Sequence, residues 1–96
     1  MRRPKVLVVD DDAFSRAVVA RKIAKLAEVV EAEDGQSAIS HLSTSGVVDL
    51  AIVDLEMPNI NGVELIRQIR SQPALKHIPI IVLTANETRG GLENAL

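Results

Sequence analysis

Apolar residues along the chain alternate between short, nearly continuous β-branched runs and stretches with apolar positions three and four apart. Lys5-Val6-Leu7-Val8-Val9, Leu50-Ala51-Ile52-Val53 and Ile80-Ile81-Val82-Leu83 are runs of the kind expected in strands buried on both faces. Glu28-Val29-Val30-Glu31-Ala32 mixes polar residues into the run and reads as an edge strand. Val18, Val19, Ile23 and Leu26 predict a helix over 14–26, with Arg16, Arg21, Lys22 and Lys25 on a solvated face. Asp34-Gly35 turns the chain into a short helix carrying Ala38, Ile39 and Leu42. Ser43-Thr44-Ser45-Gly46 reads as a loop. Leu65, Ile66 and Ile69 form the apolar face of a helix over 63–70. Residues 87–96 begin a further helical pattern, weakened by Gly90-Gly91. The predicted order is βαβαβαβ plus a partial helix, which implies a parallel sheet with helices on both faces.

Composition narrows the function classes. The 96 residues make one small domain. A net charge of −2 leaves no basic excess for nucleic acid. Phe14 is the lone aromatic, so the core must be built from Val, Ile, Leu and Ala, and there is no platform for stacking bases. The absence of cysteine excludes a disulfide scaffold, a thiolate zinc site and a cysteine nucleophile. No apolar run approaches the roughly 18 residues of a membrane span, and the first residues do not form a signal peptide. A cytoplasmic protein without a membrane partner is expected.

In parallel α/β sheets, ligands bind beyond the carboxyl ends of the strands. The residues there are Asp10-Asp11-Asp12 after the first strand, Asp54 after the third, and Thr84-Ala85 after the fourth. Two carboxylates ~5 Å apart at an effective dielectric of ~20 repel by about 3 kcal/mol. An all-oxygen set of this kind selects a hard cation such as Mg²⁺. Asp12 alone reads more simply as a helix N-cap. Capping does not explain carboxylates converging from two strands, so Asp11 and Asp54 point to a site. A carboxylate beside a bound metal is either a ligand or a nucleophile that forms an acyl phosphate. Phosphoryl transfer needs little beyond positioning and charge neutralisation; Asp54, Asp11 and the Thr84 hydroxyl are the groups available for it.

Three blocks carry a family resemblance. Val-Val-Asp-Asp-Asp at 8–12, Ile-Val-Asp-Leu-Glu-Met-Pro-Asn-Ile-Asn-Gly at 52–62 and Pro-Ile-Ile-Val-Leu-Thr-Ala at 79–85 resemble the receiver domain of two-component response regulators. The resemblance implies a flavodoxin-like parallel sheet with strand order 2-1-3-4-5. It implies that Asp54 accepts a phosphoryl group from a histidine on a partner kinase or phosphotransfer protein. Asp11 is then the direct Mg²⁺ ligand, Asp10 holds a metal-bound water, and the Glu56 backbone carbonyl completes the metal site. Thr84 is the switch hydroxyl that moves to bond the phosphoryl oxygen. Pro58 and Gly62 shape the loop, with Gly62 letting the chain turn into the third helix without steric cost. The basic face of the first helix, besides being solvated, docks the kinase in this family. His41 and His77 read as surface histidines, and Met57 as loop packing. The chain is expected to be a phosphoacceptor and not an enzyme.

The chain departs from the family pattern at its end. It is short by one β-α unit, roughly 30 residues, and lacks the lysine and the aromatic residue that the fifth strand supplies. Lys5 begins the first strand, about 16 Å from the pocket at ~3.3 Å per residue, and Lys22, Lys25 and Lys76 are no better placed. We expect residues 1–96 to be a C-terminally incomplete receiver, derived from a protein with its receiver at the N-terminus. Two other functions compete with phosphoacceptance. One is an interaction module that acts through dimerisation without sustaining phosphorylation; a symmetric homodimer is expected in either case, by pairing the apolar edge of Ile80–Leu83 or by exchange of the 87–96 segment. The other is a haloacid dehalogenase-type phosphatase starting at Asp10 and Asp12. Against it, Phe14 stands where that motif has threonine, and there is no cap insertion and no room for the later acidic motif.

Overall fold

A computed structural model describes residues 3–44, 46–55 and 62–83. The elements are β1 (Lys5–Val9), α1 (Ala13–Ile23), β2 (Glu28–Ala32), α2 (Gly35–Thr44), β3 (Leu50–Asp54), α3 (Gly62–Ser71) and β4 (Ile80–Leu83). The strands form one parallel sheet in the order β2-β1-β3-β4, the flavodoxin-like arrangement. The helical pattern at 87–96 lies outside the described residues.

The two-residue alternation of the strands divides the core into two layers. Leu7, Val9, Ala51 and Val53 pack on one face against Leu42 of α2 and Leu65 and Ile69 of α3. Val6, Val8 and Ile52 pack on the other, against Val19 and Ile23 of α1. The central strands β1 and β3 are covered by helices on both sides. That is why they read as unbroken apolar runs rather than alternating ones.

Three local expectations change, and one, the entry into α2 at Asp34-Gly35, is borne out with its hydrogen bond. The first helix ends at Ile23, three residues before Leu26, which is 75% exposed. The Leu26 and Ala27 N–H groups both donate to the Ile23 carbonyl, and the Arg3 guanidinium donates to the Ala24 and Ala27 carbonyls. A side chain remote in sequence thus caps the helix end. Second, Ser43 and Thr44 belong to α2. Their hydroxyls donate one turn back to the Ile39 and Ser40 carbonyls, at 3.0 and 2.9 Å. Gly46 then takes a left-handed φ of 78°, which closes the helix at no side-chain cost. At the other end of this helix, Asp34 caps α2 as it enters, its Oδ1 accepting the Ser37 N–H at 2.7 Å. Third, β4 is not fully buried. Its residues are half-buried or exposed, with Ile81 at 49%, because it has a strand neighbour on one side only among the described residues.

Candidate functional site

Register brings the acidic residues together. Val9 of β1 lies opposite Val53 of β3, so the next residues on these adjacent strands are Asp10 and Asp54. Neighbouring strands run ~4.8 Å apart, and both carboxylates therefore emerge side by side at the carboxyl end of the sheet. Asp10, Asp11 and Asp54 each present an oxygen, all within 4.8 Å of one another. Asp10 and Asp54 are buried and Asp11 is exposed. At an effective dielectric of ~20, each pair of charges at this spacing repels by about 3 kcal/mol. The donor set is carboxylate oxygen only, which fits a hard divalent cation and not a soft metal.

Backbone hydrogen bonds fix the loop that carries two of these groups. The Asp10 N–H donates to the Ala32 carbonyl of β2 at 3.1 Å, the last rung of that ladder. Asp10 Oδ1 accepts the Asp12 N–H at 2.9 Å. Asp54 sits opposite Leu83 of β4, and the next N–H, that of Leu55, donates to the Leu83 carbonyl at 3.0 Å. The acidic end of β3 is thereby tied to the strand that leads to Thr84.

Asp12 is drawn away from this group into helix capping. It has extended φ and ψ of −88° and 113°, and its Oδ2 accepts the Ser15 N–H at 2.8 Å. Hydrogen bonds from Ser15 hold its carboxyl below the usual carboxylate range against an opposing effect of desolvation, with a lesser contribution from the Arg16 charge. A carboxyl with a depressed native pKa contributes stability above its unfolded pKa and loses it as pH falls through the native value. Asp12→Ala is therefore expected to lower the melting temperature at neutral pH and to have no effect once the carboxyl is protonated. Thermal melts at both pH values test this; an equal loss at both would assign the effect to something other than the charged cap.

Gly62 spares the entry into α3 a steric cost, as expected, and that cost is one of space rather than of backbone conformation. It is the first residue of α3, its N–H donates to the Leu55 carbonyl at 2.9 Å, and its φ is not positive. A Cβ there would lie 2.5 Å from Leu55 Cα and 2.6 Å from the Asp54 carbonyl oxygen. What glycine provides is room for α3 to approach the backbone at Asp54, not conformational freedom.

Glu56, Met57, Pro58, Thr84 and Ala85 lie outside the described residues. His41 is half-buried and His77 exposed, and neither belongs to the acidic group. Arg16 is the residue that the sequence reading misplaced. Instead of facing solvent, its side chain is 18% exposed and bonds to the Asp10 carbonyl at 2.7 Å and to Glu31 Oε1 at 2.9 Å. A basic residue in the first helical turn, with an acidic residue near the end of the edge strand, was the available signal.

Residues 6–96 match the family described as the response regulator receiver domain. The chemotaxis protein CheY1 of Helicobacter pylori is 37% identical over 89 residues, which cover 91% of this chain and 69% of that protein. The chemotaxis protein CheY of Pseudomonas aeruginosa is 34% identical over 87 residues, covering 88% and 69%. Among solved structures, a response regulator receiver protein from Pseudomonas putida superposes with a TM-score of 0.82 at 33% identity, covering 88% of this chain and 69% of that one. Vibrio cholerae chemotaxis protein CheY4 gives 0.81 at 32% identity, covering 96% and 76%. The family match also corrects the expectation of a non-enzyme, because receiver domains are phosphoacceptors with autophosphatase activity. On an acidic group at the carboxyl ends of β1 and β3, a 2-1-3-4 parallel sheet and this match over nearly its whole length, the chain belongs to the response regulator receiver family.

Proposed function

We propose that Asp54 of this chain accepts a phosphoryl group from a phosphohistidine on a histidine kinase or phosphotransfer protein, in a single receiver domain over residues 1–96. The observation that carries this reading is the convergence of Asp10, Asp11 and Asp54 within 4.8 Å at the carboxyl end of the sheet. An Asp54 carboxylate oxygen attacks phosphorus, the P–N bond breaks, and its electron pair stays on the imidazole nitrogen, which takes up a proton. The product is an acyl phosphate, and water attack on it returns Asp54 and inorganic phosphate. Asp54 is buried at the carboxyl end of β3, next to Asp10 on the adjacent strand.

Asp11 and Asp54 would hold Mg²⁺ directly, Asp10 through a water and Glu56 through its carbonyl. Bound there, the cation offsets the charge of the carboxylates and of the incoming phosphoryl oxygens. Thr84 supplies the hydroxyl that bonds a phosphoryl oxygen, and Pro58 shapes the loop between β3 and α3. The reading includes a cytoplasmic location, in keeping with a soluble kinase partner, and among the described residues no helix is long and apolar enough to cross a membrane.

Incubation with a small phosphodonor and Mg²⁺, followed by intact-mass measurement, is expected to add one phosphoryl group to a minor fraction of the chain. Asp54→Asn removes the increment and Asp12→Asn retains most of it. Labelling that persists in the Asp54 variant would assign the nucleophile elsewhere.

A second reading, a symmetric dimer, is favoured by the half-exposed Ile81 on the β4 edge. Light scattering across a dilution series is expected to show the dimer dissociating. A monomer at high micromolar concentration would sink that reading without touching the first.

A further inference from the structure

We propose that Arg16 is a positioning residue for the acidic site, holding the loop at 10–12 in the shape that brings Asp10 and Asp11 up to Asp54. The proposal rests on the Mg²⁺ reading above. The peptide groups of Asp10 are both anchored to the end of β2. Its N–H donates to the Ala32 carbonyl. Its carbonyl, beyond the last rung of the ladder, accepts from Arg16 Nη1 at 2.7 Å, the short distance of a charge-assisted bond. Arg16 Nε donates in turn to Glu31 at 2.9 Å, and Glu31 is the neighbour of Ala32 on the same strand.

The Arg16 N–H donates to the Asp12 carbonyl at 2.9 Å, the first backbone bond of α1, so the helix start that carries the guanidinium is itself joined to this loop. The planar guanidinium is what allows one side chain to satisfy a carbonyl and a carboxylate in different directions. Three mutually repelling carboxylates tend to spread the loop, and Arg16 opposes that spreading at the peptide between Asp10 and Asp11. Groups that orient metal ligands from outside the coordination sphere commonly change metal affinity by about 10–100-fold.

The sign of the effect separates positioning from simple charge. A guanidinium near the site repels a divalent cation, so its removal would tighten Mg²⁺ binding if charge alone mattered. Positioning demands the opposite. In calorimetric Mg²⁺ titrations of the chain, Arg16→Ala is expected to weaken binding by about tenfold. Arg16→Lys, which keeps the charge but not the fork, is expected to fall between the parent and Arg16→Ala. Glu31→Gln, whose amide oxygen still accepts from Nε, should cost less than either, and Arg21→Ala on the exposed side of α1 should change nothing. Unchanged or tighter binding in Arg16→Ala, with only a lower melting temperature, would overturn the role. If that variant does not fold, unchanged binding in Arg16→Lys would do so. Failure of the underlying metal reading looks different: Mg²⁺ binding by the parent would be absent or insensitive to Asp11→Asn.

Discussion

Replacing Gly62 by alanine is expected to destabilise the domain by ~3 kcal/mol, at the upper end for overpacking a filled site. The added Cβ would meet Leu55 Cα at 2.5 Å, the Asp54 carbonyl oxygen at 2.6 Å and Leu55 Cδ2 at 2.9 Å. Only the last of these can yield by a change of rotamer. The other two are backbone, so either the start of α3 or the end of β3 must move. Moving α3 would withdraw Leu65 and Ile69, both fully buried, from the core. Moving β3 would displace Asp54 itself. Urea unfolding measures the loss, and Mg²⁺ titration of the surviving folded fraction is expected to report weaker binding. A loss under about 0.5 kcal/mol, the range of neutral surface changes, would show that the contact relaxes without cost.

Millimolar Mg²⁺ is expected to raise the melting temperature substantially. A ligand that binds only the folded state adds about 2.7 kcal/mol at 100 times its dissociation constant. For a domain of this size each kcal/mol is worth roughly 4–8 °C. Asp11→Asn is expected to remove most of the increment, because it deletes a ligand oxygen from a three-carboxylate group. Asp54→Asn should change sign with conditions. In chelator it removes repulsion with Asp10 and Asp11 and raises stability; in Mg²⁺ it loses a ligand and the gain shrinks or reverses. An undiminished Mg²⁺ increment in Asp11→Asn would place the binding elsewhere on the molecule.

Much of the fold was legible because most of the elements depend on local pattern. The β1, β2 and β4 runs fall at their expected limits, and β3 is longer only by Asp54. The limits of the helices were less legible. Arg3, 21 residues from Ala24, helps stop α1 before Leu26, whereas Ser43 and Thr44 continue α2 with their hydroxyls bonded one turn back. The first is a long-range contact that periodicity does not register. The second is a local alternative whose outcome depends on whether the chain continues as loop or helix. Asp12 was readable as a cap because capping needs only a neighbour three residues on. Arg16 was not, since its partners lie just past β1 and on β2 and are reached only after the strands have paired.

By itself, the sequence determined the alternation of strands and helices, the parallel sheet that this alternation requires, and the presence of carboxylates at the carboxyl ends of the first and third strands. Each follows from side-chain spacing or from chain connectivity, which are local or topological properties. Tertiary structure decided the rest. Placing β1 beside β3, with Val9 opposite Val53, is what makes Asp10 and Asp54 neighbours, although 44 positions separate their numbers. It decided that Gly62 is needed for space against the Asp54 backbone, and that Arg16 turns inward to the Asp10 carbonyl. Strand register and backbone approach are set jointly by residues distant in sequence, through the packing of both sheet faces.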